Sequence, residues 1–241
     1  MAINSREAAG TGGKRQEPIE PGTVPGRLVQ VIDFGLQPQE YQGEAKPPMR
    51  EIGTTYELAD EFMKDEEGND ISDKPRWLSE SFALHNLAAD RAKSTQRYYA
   101  LDPNEKAEGD WEKLLGSPVM ITVIQKPDKK DKKLIHNNIA GTSTVRAKDL
   151  KNIPDLINEP RFLDLDVVNE ANLQMFTDLP QWIRDKIKKG LEWQGSDFQI
   201  ALETFKPKKK DDKETKKARR EEAEEDTEDS IPTDDKDEGN W

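Results

Sequence analysis

The sequence predicts a mainly β protein, a small barrel of about five short strands with inserted and C-terminal helices. Five short segments have the apolar alternation or the β-branched content of strands and are separated by turns, and the 241-residue chain contains 15 glycines and 15 prolines. Between the third and fourth of these segments, residues 90–101 have the pattern of a helix. Both chain ends are too polar to form a core. These observations favour one β domain with tails.

The first three predicted strands lie in the N-terminal third of the chain. Residues 27–36 (RLVQVIDFGL) are rich in β-branched side chains, and residues 49–58 (MREIGTTYEL) alternate between apolar and polar. Residues 76–84 (RWLSESFAL) alternate as well. Because successive side chains of a strand point to opposite faces, Trp77 is predicted to face away from the apolar side that Leu78 begins.

Helical patterns follow in three places. Residues 90–101 predict a helix with Asp90 as its N-cap, and residues 110–116 predict a short helix that ends at a glycine. Residues 179–193 are amphipathic, with Pro180 suited to the first helical turn.

The strongest strand signal is at residues 119–125 (VMITVIQ), which are nearly apolar throughout and therefore predict a central strand. Residues 126–133 (KPDKKDKK) predict a hairpin tip, and residues 134–145 the returning strand. Five short strands with a helix between the third and fourth are typical of the oligonucleotide-binding barrel, a five-stranded, partly open Greek key.

The composition excludes several classes of protein. Without cysteine there can be no disulfide framework and no cysteine zinc site. No apolar run approaches the length of a membrane span, and residues 1–18 lack the apolar centre of a signal peptide. We therefore expect a cytoplasmic protein that contacts no membrane.

The predicted organisation has four parts. Residues 1–25 are expected to be a disordered arm, and residues 26–205 an oligonucleotide-binding domain. Residues 206–220 form a basic linker with nine bases and three acids. Residues 221–241 form an acidic tail with eleven carboxylates and one lysine, a composition typical of disordered interaction tails.

The tail ends on a bare aromatic residue, Trp241. Its charges can imitate a phosphate backbone, and its indole can enter an apolar pocket on a partner. The residues expected to contact that partner are Asp234, Asp235, Asp237, Glu238 and Trp241.

A catalytic constellation is not evident in the sequence, so we predict no enzyme, no cofactor and no metal. The histidines, His85 and His136, have no second ligand at metal spacing. The alternative of a metal-dependent nuclease rests on Asp164 and Asp166, which lack a supporting base or lysine.

Binding of single-stranded nucleic acid needs aromatic faces for bases and cations for phosphates. Three segments combine cations with aromatic or histidine side chains, on the third strand, the first helix and the last hairpin tip. The candidate residues are Lys74, Arg76 and Trp77; Arg91, Lys93, Arg97, Tyr98 and Tyr99; and Lys126, Lys129, Lys130, Lys132 and Lys133. A core role for Trp77, Tyr98 and Tyr99 fits the pattern equally well, whereas Trp111 and Trp182 are expected in the core.

Three strand segments and the tail carry a resemblance. Residues 26–37 (GRLVQVIDFGLQ), 74–79 (KPRWLS) and 114–123 (LLGSPVMITV), with the end at Trp241, resemble the single-stranded DNA-binding proteins of short-tailed bacteriophages. The resemblance spans residues 26–205 in pattern. It implies sequence-independent binding of single-stranded DNA in replication, recombination or repair, a tail that contacts DNA polymerase or helicase-primase, and a place in the host cytoplasm. Better-known relatives end on phenylalanine, so tryptophan is a departure that keeps a large apolar tip.

Two questions remain open at the level of sequence. A protein-interaction adaptor that binds no DNA would also explain an acidic docking tail. A homodimer is compatible with the sequence, but nothing in the sequence specifies the oligomeric state.

Overall fold

The computed structural model describes residues 16–208, so the expectations for residues 1–15, for most of the basic linker and for the acidic tail lie outside the described residues. The strands are β1 (Gly22–Tyr41), β2 (Glu44–Lys64), β3 (Asp70–Ala83), β4 (Pro118–Pro127), β5 (Ile135–Ser143) and β6 (Arg161–Leu163). The α-helices are α1 (Lys93–Leu101), α2 (Glu170–Asp178), α3 (Gln181–Lys188) and α4 (Asp197–Thr204). Single 3₁₀ turns lie at Glu112–Leu114 and Leu150–Asn152.

The strands form a curled antiparallel half-barrel in the order β3-β2-β1-β4-β5, with the short β6 parallel to β1. A two-residue turn joins β1 to β2, where Gln42 and Gly43 take positive φ values of 53° and 82°, as a tight hairpin requires. The register of β1 with β2 shifts after Leu28, Asp33 and Gln37. Such irregularities bend and twist a strand, and they curl this sheet.

The concave side of the sheet encloses the larger hydrophobic core. Leu78 and Phe82 of β3 are buried there with Trp111, at 5%, 3% and 7% exposure. The alternation predicted for this strand and the core position of Trp111 are therefore confirmed. Helix α1 packs between β3 and β5, the two ends of the sheet order.

A second core lies on the other face of β1, under helices α2, α3 and α4. Ile32 and Phe34 of β1 pack there with Ile187 and Phe198, and Trp182 is half-buried at its edge. Strand β1 is therefore covered on both faces, which explains its dense run of apolar side chains. No helix within residues 16–208 is long and apolar enough to cross a membrane.

Lys186 of α3 ties this helical layer to the sheet. Its Nζ atom lies 2.8 Å from the Glu51 carboxylate and 3.2 Å from Ser81 Oγ, and 4.4 Å from the centre of the Phe34 ring. The pair is mostly buried, with side-chain exposures of 20% for Lys186 and 12% for Glu51. A single cation thus fastens α3 to β1, β2 and β3.

The ordered domain begins earlier in the chain than the predicted boundary at residue 26. Ile19 is 2% exposed and belongs to the larger core, and β1 already pairs with β4 from Gly22 opposite Val123. The Gln125 amide also donates to the Ile19 carbonyl oxygen at 3.0 Å. One apolar side chain in a polar segment has no periodicity, so the sequence pattern does not reveal this packing.

Two predicted helix starts are wrong in detail. Helix α1 begins at Lys93 after Ala92, which provides no side-chain cap, so Asp90 is not the N-cap. Pro180 occupies the N-cap position of α3 and not its first turn. At α1 and α3 no capping side chain marks the first residue of the helix.

Candidate functional site

The β4–β5 hairpin tip presents five exposed lysines. These are Lys126, Lys129, Lys130, Lys132 and Lys133. Asp128 turns toward the backbone of the tip, where its carboxylate accepts hydrogen bonds from the Lys130 and Asp131 backbone N–H groups at 2.7 and 2.9 Å. The bonds from Asp131 and Lys130 hold the pKa of Asp128 below its usual value. The tip is thus a shaped turn whose cations point to solvent.

His136 closes the base of this tip. Its Nε2 atom lies 3.2 Å from Asp128 Oδ2, and the two side chains are 11% and 23% exposed. Sequence reasoning placed His136 at the end of the lysine cluster, and here it supports the turn that displays the lysines.

Lys74 and Arg76 lie at the same end of the sheet as the lysine tip. Both are half-buried on β3, and Arg76 Nη1 donates to the Glu17 carbonyl oxygen at 2.6 Å. The segment from Glu17 continues to Ile19, which the Gln125 side chain of β4 binds. The fold therefore brings the β3 cations and the lysine tip of β4–β5 to one end.

Trp77 lies on the outer face of β3 and is half-buried, as the alternation predicts. Its Nε1 atom donates to Glu57 Oε2 at 3.3 Å, and the guanidinium carbon of Arg161 lies 5.8 Å from its ring centre. Sequence reasoning missed both neighbours. Arg161 is 84 positions away and Glu57 lies on another strand, so neither contact leaves a local signal.

Two of the five residues of the α1 cluster (Arg91, Lys93, Arg97, Tyr98 and Tyr99) are enclosed. Arg97 is 4% exposed, and its guanidinium contacts both carboxylate oxygens of Glu80 at 2.7 and 3.2 Å. Tyr98 is fully buried, and its hydroxyl accepts a hydrogen bond from the Gly109 backbone N–H at 2.7 Å. Burial raises the pKa of Tyr98. As these side chains lie, neither can meet a phosphate or stack on a base.

The other three residues of the α1 cluster lie nearer the surface, and one of them, Arg91, precedes the helix. Lys93 is half-buried, with its Nζ atom 3.3 Å from Glu80 Oε2. Tyr99 is half-buried and packs edge to face on the buried Tyr98 ring at 5.8 Å. Arg91 is exposed. The structure thus leaves Arg91 as the accessible cation among the five.

The β2–β3 hairpin tip has the opposite charge. Residues 60–73 contain seven acids and one lysine. The acids are Asp60, Glu61, Asp65, Glu66, Glu67, Asp70 and Asp73. Burial raises the pKa of Asp60 and Glu61. The chain has a net charge of −12, so a polyanion would be attracted only where cations cluster. At this end of the sheet it would approach the lysine tip and be repelled from the β2–β3 tip.

Asp164 and Asp166 are grouped around an arginine. Arg50 Nη2 lies 2.7 Å from Asp166, 3.8 Å from Asp164 and 2.5 Å from Asp33. The bond to Asp33 is the main cause that raises the pKa of Arg50. Within residues 16–208 no group of three or more histidines or carboxylates is arranged to hold a metal ion.

Comparisons with protein-family profiles, characterised proteins and solved structures find no match to this chain. The fold is therefore described by its own geometry, as a curled five-stranded antiparallel half-barrel with one parallel strand and four helices within residues 16–208.

Proposed function

We propose that this chain is a non-enzymatic protein that binds single-stranded DNA without sequence preference. The observation that carries the proposal is the exposed lysine tip of the β4–β5 hairpin, at the same end of the sheet as Lys74 and Arg76. Clustered cations on one side of an otherwise acidic protein suit a polyanion, because phosphate contacts release bound counterions.

We also propose that the half-barrel is an oligonucleotide-binding fold. In support, β1 pairs with both β2 and β4, and α1 lies between β3 and β4 in the chain. Such barrels grip single strands with the face of strands 2 and 3 and with the loops after strands 1 and 4. In this chain the loop after β4 is the lysine tip, and the face of β3 carries Trp77.

The proposed contact set omits all five sequence-based candidates around α1, of which two are enclosed in the core. Lysines of the tip and the cations of β3 would meet phosphates, and Trp77 would stack on a base. Stacking tolerates any base because every base has a π face. The set is Lys74, Arg76, Trp77, Lys126, Lys129, Lys130, Lys132 and Lys133.

The acidic tail, residues 221–241, is proposed to dock DNA polymerase or helicase-primase through Trp241. Its eleven carboxylates and one lysine would also compete with DNA for the lysine tip, since both partners are polyanions. The support is the composition of the tail and the resemblance to single-stranded DNA-binding proteins of short-tailed bacteriophages. The proposed compartment is the host cytoplasm.

Titration of fluorescent oligo(dT) over a salt series tests the proposal. We expect binding at low salt, with log K falling linearly as log salt rises, weaker binding of a duplex of equal length, and no cleavage of labelled DNA with Mg²⁺. Absence of binding at low salt would favour the adaptor alternative. Cleavage that needs Mg²⁺ would favour the nuclease.

A further inference from the structure

We infer that Arg161 and Trp77 together form a nucleotide subsite on the outer face of β3, where Trp77 stacks on a base and Arg161 binds the adjoining phosphate. The inference rests on the proposed function and adds a cation that the sequence patterns do not single out. It also names a residue, Glu57, that positions both groups.

The placement of Arg161 depends on the short strand β6. This strand pairs in parallel with β1, so that Arg161 lies opposite Gln30. Gln30 in turn is paired with Thr55, and Thr55 with Ser79 of β3. One row of paired residues therefore runs across four strands, from Arg161 on β6 to Ser79 on β3. Ser79 is two residues from Trp77 on the same strand.

The charge of Arg161 is available to a ligand. The side chain is exposed, and within residues 16–208 it forms no ion pair. Its guanidinium carbon lies 5.8 Å from the centre of the Trp77 ring. An exposed, uncompensated guanidinium beside an indole combines the two groups that a nucleotide requires, because guanidinium binds phosphate through paired N–H donors and the ring stacks on the base.

Glu57 holds this arrangement in place. Its carboxylate belongs to a residue only 5% exposed and accepts four hydrogen bonds. One comes from Trp77 Nε1 at 3.3 Å, and the others come from the backbone N–H of Ile157 at 2.6 Å and from two N–H donors of Asn158 at 3.2 and 2.7 Å. The indole and the loop that leads into β6 are thus fixed by one carboxylate. A site ordered before binding loses less conformational entropy when the ligand arrives.

Arg161→Ala tests the inference, with Arg146→Ala as the matched control. Arg146 is also exposed, but its Nε atom is paired with Asp149 at 2.7 Å. We expect Arg161→Ala to weaken oligo(dT) binding about tenfold and to lower the salt slope by about 0.7, the value for one phosphate contact on a single strand. Arg146→Ala should change neither quantity. Both variants should have the melting temperature of the wild type.

A double-mutant cycle tests whether the two groups act on one nucleotide. If they do, Arg161→Ala should cost less affinity in a Trp77→Ala background than in the wild type, because the base no longer holds its phosphate against the guanidinium. Glu57→Gln should weaken the quenching of Trp77 fluorescence by oligo(dT). The contribution of Trp77 is the difference in quenching between proteins with and without the Trp77→Phe replacement.

The outcomes separate the inference from the proposed function. If the wild type binds oligo(dT) and Arg161→Ala binds with unchanged affinity and salt slope, the subsite is overturned and the DNA-binding proposal stands. Strictly additive effects in the cycle would also overturn it. If the wild type does not bind oligo(dT), both fail.

Discussion

Helix α1 and the β4–β5 hairpin tip both carry a cluster of cations that suggests contact with DNA, yet the fold treats the two clusters differently. At the tip, all five lysines are exposed. On α1, Arg97 and Tyr98 are enclosed, and Lys93 shares with Arg97 the carboxylate of Glu80. Residues of the same chemical type therefore serve the surface in one region and the core in the other.

The difference follows from what lies opposite each cluster. Glu80 is on the inward face of β3 between Leu78 and Phe82 and is 5% exposed. A buried carboxylate requires a cation or several hydrogen bonds, and α1 supplies Arg97. The acids of the tip, Asp128 and Asp131, accept hydrogen bonds from backbone N–H groups of the turn and require no arginine. An acid at an inward strand position is thus a sequence signal for a buried arginine elsewhere.

The largest expected effect is on the α1 side of this comparison. Glu80→Gln should destabilise the protein by about 3–5 kcal/mol, because it leaves the buried Arg97 without its counter-charge. Chemical denaturation measures the change. Glu203→Gln, an exposed glutamate of α4, is the control and should change stability by less than about 0.5 kcal/mol. Equal stability of both variants would mean that Arg97 is free to leave the core.

Replacing the five tip lysines with glutamine should leave the fold intact and act on binding. We expect oligo(dT) affinity to fall roughly a hundredfold at low salt, and the salt slope to fall by up to about 3.5, at about 0.7 for each phosphate contact. The control replaces five other exposed lysines, Lys106, Lys148, Lys151, Lys188 and Lys189. A similar loss in the control would indicate a general charge effect without a defined interface.

Trp77→Ala tests whether this half-buried aromatic side chain stacks on a base or packs against the fold. We expect oligo(dT) affinity to fall by about 1–3 kcal/mol, the increment for one stacked base, while Trp77→Phe keeps most of it. The melting temperature should fall little, because Trp77 lies outside the core that encloses Leu78. A collapse of the melting temperature, with affinity preserved in the remaining folded protein, would instead place Trp77 with Tyr98 as a packing residue.

Arg91→Ala should have the smallest effect. Arg91 is the exposed cation of the α1 cluster. It lies just before α1 and follows the end of β3 that is opposite to the lysine tip. We expect less than about a twofold change in affinity, within the range for a screened surface charge. A loss as large as that of the tip variant would show that the DNA path crosses α1, and the contrast between the two regions would disappear.

Much of the fold could be predicted from residue patterns. The five strands of the half-barrel and the helix between the third and fourth lie where alternation and apolar runs placed them, although β1, β2 and β3 extend well beyond the predicted segments. The added residues of β2, 44–48 and 59–64, do not alternate regularly between apolar and polar, so the pattern that predicts the middle of the strand does not extend to them. The parity that sets Trp77 opposite Leu78 was also predictable.

The candidate site was less predictable because its groups are distant in sequence. The lysine tip is local, since a turn displays its own side chains, and the sequence identified it. Trp77, Glu57 and Arg161 come together only through the pairing of four strands. The burial of Arg97 depends on an acid 17 positions away.

The amino-acid sequence by itself determined the strand faces, the apolar segments and the charged hairpin tips, because side-chain alternation and turn chemistry act between near neighbours. Tertiary structure alone decided which cations remain at the surface, how Ile19 enters the core, and that Arg161 lies beside Trp77. Those outcomes depend on burial and on the pairing of charges across the sheet. Both arise only when segments that are far apart in the chain are brought into contact.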